Sequence, residues 1–154
     1  MATEIERKYR VIGTDWRQPD NASEYRQGYL STVKERTVRV RVIGDRGFLT
    51  IKGITVGATR TEYEYEIPLA DAGAMLSELC EQPIIEKTRY VIDWEGTTWE
   101  VDEFRGVNAG LVVAEVELDN PDRVIPLPPW IGKEVTDDPR YFNSNLIARP
   151  YSTW

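Results

Sequence analysis

Residues 3–11 of the chain, "TEIERKYRV", alternate in the manner of a β-strand. The side chains that would share one face are all charged: Glu4, Glu6, Lys8 and Arg10. The opposite face combines three apolar or aromatic residues with one arginine: Ile5, Arg7, Tyr9 and Val11. A strand with such a charged row either turns the row to water or lines a polar interior. The other strands of the chain decide between these two alternatives.

The same two-residue period recurs along most of the sequence. It predicts eight strands, at residues 3–11, 25–32, 36–43, 47–54, 59–67, 86–95, 98–105 and 111–119. A helix is predicted after Pro68, where apolar residues recur at helical spacing: Leu69, Ala72, Leu76 and Leu79. Asp138-Pro139 is expected to open a short helix over residues 141–147. The fold class is therefore mainly β (α+β): an eight-stranded antiparallel β-barrel with a few packing helices, in one domain over residues 1–154.

Several of these strands carry an ionic face with charges of one sign. The pairs are Arg39 with Arg41, Glu62 with Glu64, Lys87 with Arg89, Glu100 with Asp102, and Glu115 with Glu117. A single charged row is ordinarily solvated, but like charges two residues apart on one face repel each other. The whole set is better explained by a barrel with a charged interior. Its apolar outer faces would then be covered by the helix and the C-terminal tail.

Composition restricts the functions that such a barrel can have. The 154 residues are 41% hydrophobic and 29% charged, with a net charge of −7 that disfavours nucleic acid as a partner. The chain has no histidine, which excludes histidine bases, histidine-ligated zinc and Ser-His triads. The single Cys80 excludes an internal disulfide, and no apolar run reaches the length of a membrane span or a signal peptide. We expect a cytoplasmic protein without a membrane partner.

The segregation of acidic and basic rows predicts the chemistry of a ligand. Two unit charges ~4 Å apart interact by roughly 4 kcal/mol at an effective dielectric constant near 20, so a purely basic lumen would be strongly destabilised. A carboxylate wall suits a hard divalent cation, and a basic wall suits an anion. Mg²⁺ or Mn²⁺ together with a phosphate chain would satisfy both walls.

The motifs resemble those of the CYTH superfamily, the triphosphate tunnel metalloenzymes, in particular the small bacterial single-domain members. The opening "EIERK" matches the ExExK signature, and "QGYL", "VRVR", "FLTIKG", "EYEYEIP", "KTRY", "WEVDEF", "AEVEL" and "GKEVTDDPRYFNSNL" follow in order over nearly the whole chain. The resemblance implies an eight-stranded tunnel that binds a triphosphate with a divalent metal. It implies three metal-binding carboxylates: Glu4, Glu6 and Glu117. It also implies six basic residues that bind the phosphates: Lys8, Arg39, Arg41, Lys52, Lys87 and Arg89.

Metal-assisted transfer of a phosphoryl group to water is the expected reaction. The expected catalytic residues are Glu4, Glu6, Lys8, Glu62, Glu64 and Glu115. Water activation is assigned either to a second metal or to one of Glu62, Glu64 and Glu115, while Asp102 is expected as a further acidic tunnel residue. Inorganic tripolyphosphate is the preferred substrate and a nucleoside triphosphate the second. Thiamine triphosphatase, adenylate cyclase and a non-catalytic polyphosphate-binding module are weighed below these, and the oligomeric state, with a homodimer as one option, stays open.

Other conspicuous residues are assigned to packing. Trp94, Trp99 and Trp130 are expected on the outer wall, and Cys80 is expected to be a small buried hydrophobic residue at the end of the helix. For Tyr29 of "QGYL", a lumen position and an outer-wall position are equally compatible with the pattern.

Overall fold

The computed structural model describes residues 2–154, which form nine strands and two α-helices. The strands are β1 (Ala2–Val11), β2 (Ala22–Ser31), β3 (Thr37–Ile43), β4 (Arg46–Lys52), β5 (Thr59–Ile67), β6 (Ile85–Trp94), β7 (Thr97–Phe104), β8 (Val112–Glu117) and β9 (Ile131–Glu134). The helices are α1 (Leu69–Glu78) and α2 (Asn145–Ala148). Short 3₁₀ turns occupy Pro19–Asn21, Gly106–Asn108, Pro139–Tyr141 and Tyr151–Thr153.

Eight of the strands close into an antiparallel barrel. Hydrogen bonding follows the order β5-β4-β3-β2-β6-β7-β8-β1, and β1 pairs with β5 to complete the circle. The ninth strand, β9, pairs with β1 beyond the segment of β1 that contacts β5. The predicted eight-stranded barrel is therefore confirmed.

The apolar core lies outside the barrel wall, between the strands and the segments that cover them. One cluster packs α1 on β3 and includes Val40, Val42, Ala72, Leu76 and Cys80. A second cluster packs the tail on the wall through buried residues such as Tyr141, Leu146 and Ile147. A third surrounds Trp99, whose ring meets Tyr9 and Trp130 edge to face at 5.5 and 5.9 Å between ring centroids. With its apolar residues on the outside, the barrel keeps a polar lumen.

Two glycines allow α1 to lie close to the barrel. A Cβ atom at Gly47 of β4 would stand 2.7 Å from the Cβ of Ala72, and one at Gly28 of β2 would stand 2.9 Å from the Cβ of Cys80. Real Cβ atoms essentially never approach so closely, so this contact between helix and sheet requires glycine at both positions. Cys80 and the tryptophans pack as predicted: Cys80, Trp99 and Trp130 are buried and Trp94 is partly buried.

Three details differ from the expectations. The tail forms a 3₁₀ turn at Pro139–Tyr141 and then the four-residue α2, rather than one helix over residues 141–147. Strand β2 begins at Ala22, and β9 was not predicted because "IGKE" is too short to show a period.

Within residues 2–154, none of the helices has the length and apolar character needed to cross a membrane.

Candidate functional site

The barrel encloses a cavity of ≈ 310 Å³ that brings the predicted site residues together. All twelve residues expected to bind metal or phosphate, or to act in catalysis, line it: Glu4, Glu6, Lys8, Arg39, Arg41, Lys52, Glu62, Glu64, Lys87, Arg89, Glu115 and Glu117. They come from six strands, and each lies on the inward face because inward and outward side chains alternate along a strand. Their individual roles remain predictions.

Asp102 differs from the expectation, because it lies behind the lining residues rather than among them. Its carboxylate accepts hydrogen bonds from Lys87 Nζ at 2.7 Å and from Arg89 Nε and Nη2 at 2.8 and 2.9 Å. Burial opposes ionisation, but Arg89 and Lys87 together lower the pKa of Asp102 below its usual range. Asp102 is therefore a buried anion that fixes two cations of the lining.

Four basic residues of the cavity are paired with carboxylates. Lys52 Nζ lies 3.0 Å from Glu4, Lys8 Nζ lies 3.6 Å from Glu115, and Lys87 contacts Asp102 as described. Arg89 touches three carboxylates: those of Asp102, Glu100 and Glu115. Burial alone would raise the pKa of Glu115, but Lys8 and Arg89 hold it well below its usual range. Much of the positive charge on these four residues is already balanced within the protein.

Three arginines of the cavity are not balanced in this way. Within residues 2–154, no carboxylate oxygen lies within 4 Å of the guanidinium groups of Arg39, Arg41 and Arg60. They donate instead to uncharged acceptors, for example Arg39 to Thr50 Oγ1 at 3.2 Å and Arg60 to Thr37 Oγ1 at 3.1 Å. Burial, together with the neighbouring Arg39 and Arg89, lowers the pKa of Arg41 to about 10. The β3 side of the cavity therefore carries an excess of positive charge.

One of these arginines also has a donor without an acceptor. Arg39 Nε is buried, and no hydrogen-bond partner for it exists among the described residues. A buried N–H group without a partner costs about 1–3 kcal/mol. A phosphate oxygen is a suitable acceptor for such a guanidinium.

The opposite wall carries an excess of negative charge. Glu6 of β1 and Glu117 of β8 are directly paired in the sheet, and neither carboxylate has a lysine or arginine nitrogen within 4 Å in the described chain. Burial and the Glu115 carboxylate raise the pKa of Glu6 to about 8, although the tunnel leaves part of its surface open. Burial and Glu4 raise the pKa of Glu117, and burial with a hydrogen bond to Glu4 raises that of Glu62 to about 7.

These carboxylates suit a hard divalent cation in chemistry and charge. Oxygen ligands are those that Mg²⁺ and Mn²⁺ prefer, and a cation would offset the repulsion that raises the pKa values. Among residues 2–154, however, no three acidic or cysteine side chains already converge in a metal-binding arrangement. Glu4 forms an ion pair with Lys52, and both of its carboxylate oxygens lie within 3.2 Å of Lys52 Nζ. Glu6 and Glu117 thus occupy paired positions on neighbouring strands, with Glu4 of the same lining held in an ion pair.

The tail contributes residues to the cavity that the sequence analysis did not identify. Phe142, Asn143 and Ser144 line it, and Lys8 Nζ donates to the carbonyl oxygen of Tyr141 at 3.3 Å. The Asn143 side chain accepts from Gln27 Nε2 at 3.2 Å and from Lys87 Nζ at 3.4 Å. No local period in "PRYFNSNL" indicates which side chain turns inward, so Asn143 has no signal in the sequence.

Other missed residues did have a signal. Arg60 shares the inward face of β5 with Glu62 and Glu64, and Gln27 lies between Tyr25 and Tyr29 on the inward face of β2. Alternation alone predicts both positions, although it does not reveal that Gln27 is fully buried. Tyr29, whose orientation the sequence left open, lines the cavity. Glu66, next on the face of Glu64, is outside the lining and pairs with Arg46.

Comparisons with known proteins agree with the fold. Residues 2–151 match the CYTH domain family. An inorganic triphosphatase from Acetivibrio thermocellus is 52% identical over 154 residues, which cover 100% of this chain and 99% of the relative. One from Nitrosomonas europaea is 40% identical over 152 residues, which cover 94% and 96%. A solved structure of an inorganic triphosphatase superposes with a TM-score of 0.65 at 36% identity, over 93% of this chain and 96% of that one. The chain therefore belongs to the CYTH domain family.

Proposed function

We propose that this protein hydrolyses inorganic tripolyphosphate to diphosphate and phosphate inside the barrel. The observation that carries the proposal is the opposition of two unbalanced walls within residues 2–154. Arg39 and Arg41 of β3, which lack carboxylate partners, lie across the barrel from Glu6 of β1 and Glu117 of β8, which lack cationic partners. A polyanion with a divalent cation balances both walls at once. Relatives over the full length of the chain are inorganic triphosphatases, which supports the same substrate.

Triphosphatases of this family are metal-dependent in general. We propose Mg²⁺ or Mn²⁺ as the metal, with Glu6 and Glu117 as its first ligands and Glu4 as the third after release from Lys52. When bound, the metal supplies Lewis acidity to the terminal phosphoryl oxygens. Glu4 would be released when a phosphate oxygen takes its place beside the Lys52 ammonium group.

The basic residues would bind and align the phosphate chain. Arg39 and Arg41 offer planar guanidinium groups whose charge is uncancelled, and Arg39 Nε has a free donor. Lys8, Lys52 and Lys87 act as point charges, and Arg89 is held rigidly by its carboxylates. Such alignment accelerates in-line attack because the reacting groups are already oriented, and the cations stabilise the charge on the leaving phosphate.

A carboxylate is the natural base for the attacking water, since the chain contains no histidine. Among Glu62, Glu64 and Glu115, we favour Glu62. Burial and the adjacent Glu4 raise the pKa of Glu62 to about 7 in the metal-free protein, and a base with a pKa near the working pH is the most effective. Glu115 is a weaker base because Lys8 and Arg89 hold its pKa low.

The proposal is tested by phosphate release from inorganic tripolyphosphate, ATP, GTP and thiamine triphosphate, each with Mg²⁺, with Mn²⁺ and with a chelator. We expect metal-dependent release that is fastest from tripolyphosphate. Release mainly from nucleotides or thiamine triphosphate would replace the proposed substrate with an organic triphosphate. Tight binding of tripolyphosphate without release from any substrate would contradict hydrolysis and indicate a binding module.

A further inference from the structure

Two uncharged amide side chains connect the tail of the protein to two of the basic residues in the cavity. Gln27 Oε1 accepts a hydrogen bond from Arg41 Nε at 3.1 Å, and Gln27 Nε2 donates to Asn143 Oδ1 at 3.2 Å. Asn143 Oδ1 also accepts from Lys87 Nζ at 3.4 Å. The result is a continuous chain of hydrogen bonds from Arg41 on β3, through Gln27 on β2 and Asn143 in the tail, to Lys87 on β6.

The burial of Gln27 gives this chain a defined direction. The residue is 0% exposed, so each end of its amide needs a partner inside the protein. Arg41 offers only donors, so the amide oxygen faces Arg41 and the amide nitrogen faces Asn143. Asn143 then presents its oxygen to two donors at once. Reversing either amide would place two donors or two acceptors against each other.

The tail holds Asn143 through neighbours on both sides. Asp138 caps the preceding 3₁₀ turn by accepting from the backbone nitrogen of Arg140 at 3.1 Å, and Leu146 and Ile147 of α2 are buried in the outer core. The Phe142 carbonyl accepts from the backbone nitrogen of Asn145 at 2.9 Å. Asn143 thus enters the cavity from a segment whose backbone is fixed by packing and hydrogen bonds.

The two amides orient basic residues without adding negative charge, which a carboxylate would add. Arg89 is oriented by three carboxylates, which also cancel much of its charge. Gln27 and Asn143 orient Arg41 and Lys87 through hydrogen bonds but add no net charge. The charge of Arg41 therefore stays available to a polyanion, and Lys87 gains a second acceptor beside Asp102 without a second negative charge.

We propose that Asn143 is a positioning residue of the phosphate site: with Gln27 it directs Lys87 and Arg41 into the tunnel without adding negative charge beside them. The proposal rests on the proposed function for the identity of that substrate. It adds that the phosphate site is complete only when residues 141–144 of the tail are docked on the barrel.

The test compares Asn143→Ala, Asn143→Asp and a control, Asn145→Ala, in the full chain. Asn145 donates to the Pro139 carbonyl at 2.8 Å in the same tail and does not line the cavity. The measurements are calorimetric binding of inorganic tripolyphosphate in chelator, kcat and KM with Mg²⁺, and urea unfolding. For Asn143→Ala we expect Kd and KM to rise on the order of tenfold with a smaller change in kcat. For Asn145→Ala we expect Kd and KM to stay unchanged.

Asn143→Asp separates the effect of the hydrogen bond to Lys87 from the effect of added negative charge. The aspartate keeps an acceptor in place and should be ionised beside Lys87, so stability should be unchanged or higher. Because it cancels positive charge, tripolyphosphate binding should be weaker than in Asn143→Ala. Wild-type affinity in both Asn143 variants, or losses equal to those of Asn145→Ala, would overturn the proposal.

The outcomes also separate this inference from the proposed function. A wild-type protein that binds tripolyphosphate without cleaving it removes the proposed hydrolysis, while the binding comparison still tests Asn143. A wild-type protein that cleaves tripolyphosphate, with Asn143 variants that match it, overturns the inference alone. Absence of both binding and cleavage in the wild type overturns both.

Discussion

Glu6 of β1 and Glu117 of β8 lie directly opposite each other in the barrel wall, and within residues 2–154 neither carboxylate has a cationic partner within 4 Å. Like charges opposite each other in a sheet are destabilising. Burial and neighbouring carboxylates raise the pKa of both groups, so ionising them lowers the stability of the metal-free protein. This cost makes the role of the pair measurable without any substrate.

The first prediction concerns the pH dependence of stability. The pKa of Glu6 is raised by burial and Glu115 to about 8, so between roughly pH 5 and 8 the folded protein holds a proton that the unfolded chain has already released. Stability from this group is therefore lost as the pH rises through that window. In chelator, Glu6→Gln should raise the free energy of unfolding by about 1–2 kcal/mol above pH 8, a discounted value because the tunnel partly solvates the group.

Urea unfolding at several pH values checks this prediction. The gain should vanish near pH 5, where Glu6 is protonated in the native protein. Glu78→Gln on the exposed face of α1 is the control and should change stability little at either pH. A gain at pH 5 as large as at high pH would show that repulsion of ionised Glu6 is not its cause.

The second prediction concerns the metal-binding residues. Glu6→Ala and Glu117→Ala should each lower metal-dependent phosphate release by at least about 100-fold, because each removes a proposed ligand of the metal. The fold should be kept, as judged by urea unfolding. Glu86→Ala, on the exposed side of β6, should retain activity. Full turnover in either site variant would remove that residue from the metal site.

The third prediction concerns the arginines without carboxylate partners. Arg39→Ala and Arg60→Ala should each raise KM for tripolyphosphate on the order of tenfold, because each removes a positive charge that the protein does not cancel. Initial-rate kinetics measure the effect. Arg46→Ala is the matched control, since Arg46 pairs with Glu66 outside the cavity. Unchanged kinetics in Arg60→Ala would mean that this residue only ties Thr37 to Gly53.

The fourth prediction concerns the contact between α1 and the barrel. Gly47→Ala should lower the free energy of unfolding by about 1–3 kcal/mol, because its Cβ would stand 2.7 Å from that of Ala72. Gly73→Ala, inside α1 with no atom within 4 Å of the added Cβ, should raise it by roughly 0.5–1 kcal/mol. Urea unfolding of the two variants should thus give opposite signs. Equal signs would show that the close approach does not limit the packing of α1.

Much of the fold and the lining could be predicted because alternation along a strand is a local property. Once "EIERK" and "VRVR" are strands, the faces of Glu4, Glu6 and the two arginines follow from the two-residue period. So many like-charged rows would repel one another without compensation on an outer face, and this repulsion predicts that they point inward. The closed barrel and the common cavity confirm it.

What could not be predicted depends on contacts between distant segments. Asn143 meets Gln27 across 116 positions of sequence, and no period in the tail marks it. Asp102 has the alternation of a lining residue, yet Lys87 and Arg89 extend over it and separate it from the lumen. The absence of carboxylate partners for Arg39, Arg41 and Arg60 is likewise visible only when all the carboxylates have their positions in space.

The position of β1 in the barrel has a consequence for biosynthesis. This strand pairs with β5, β8 and β9, so its last partners leave the ribosome more than 100 residues after it does. At roughly 5–20 residues per second, β1 waits on the order of 5–20 s for β8. A purely apolar strand exposed for that time would invite aggregation, whereas Glu4, Glu6, Lys8 and Arg10 keep this one hydrated. Glu4, Glu6 and Lys8, which later line the cavity, thus also help to protect the nascent chain until the barrel closes.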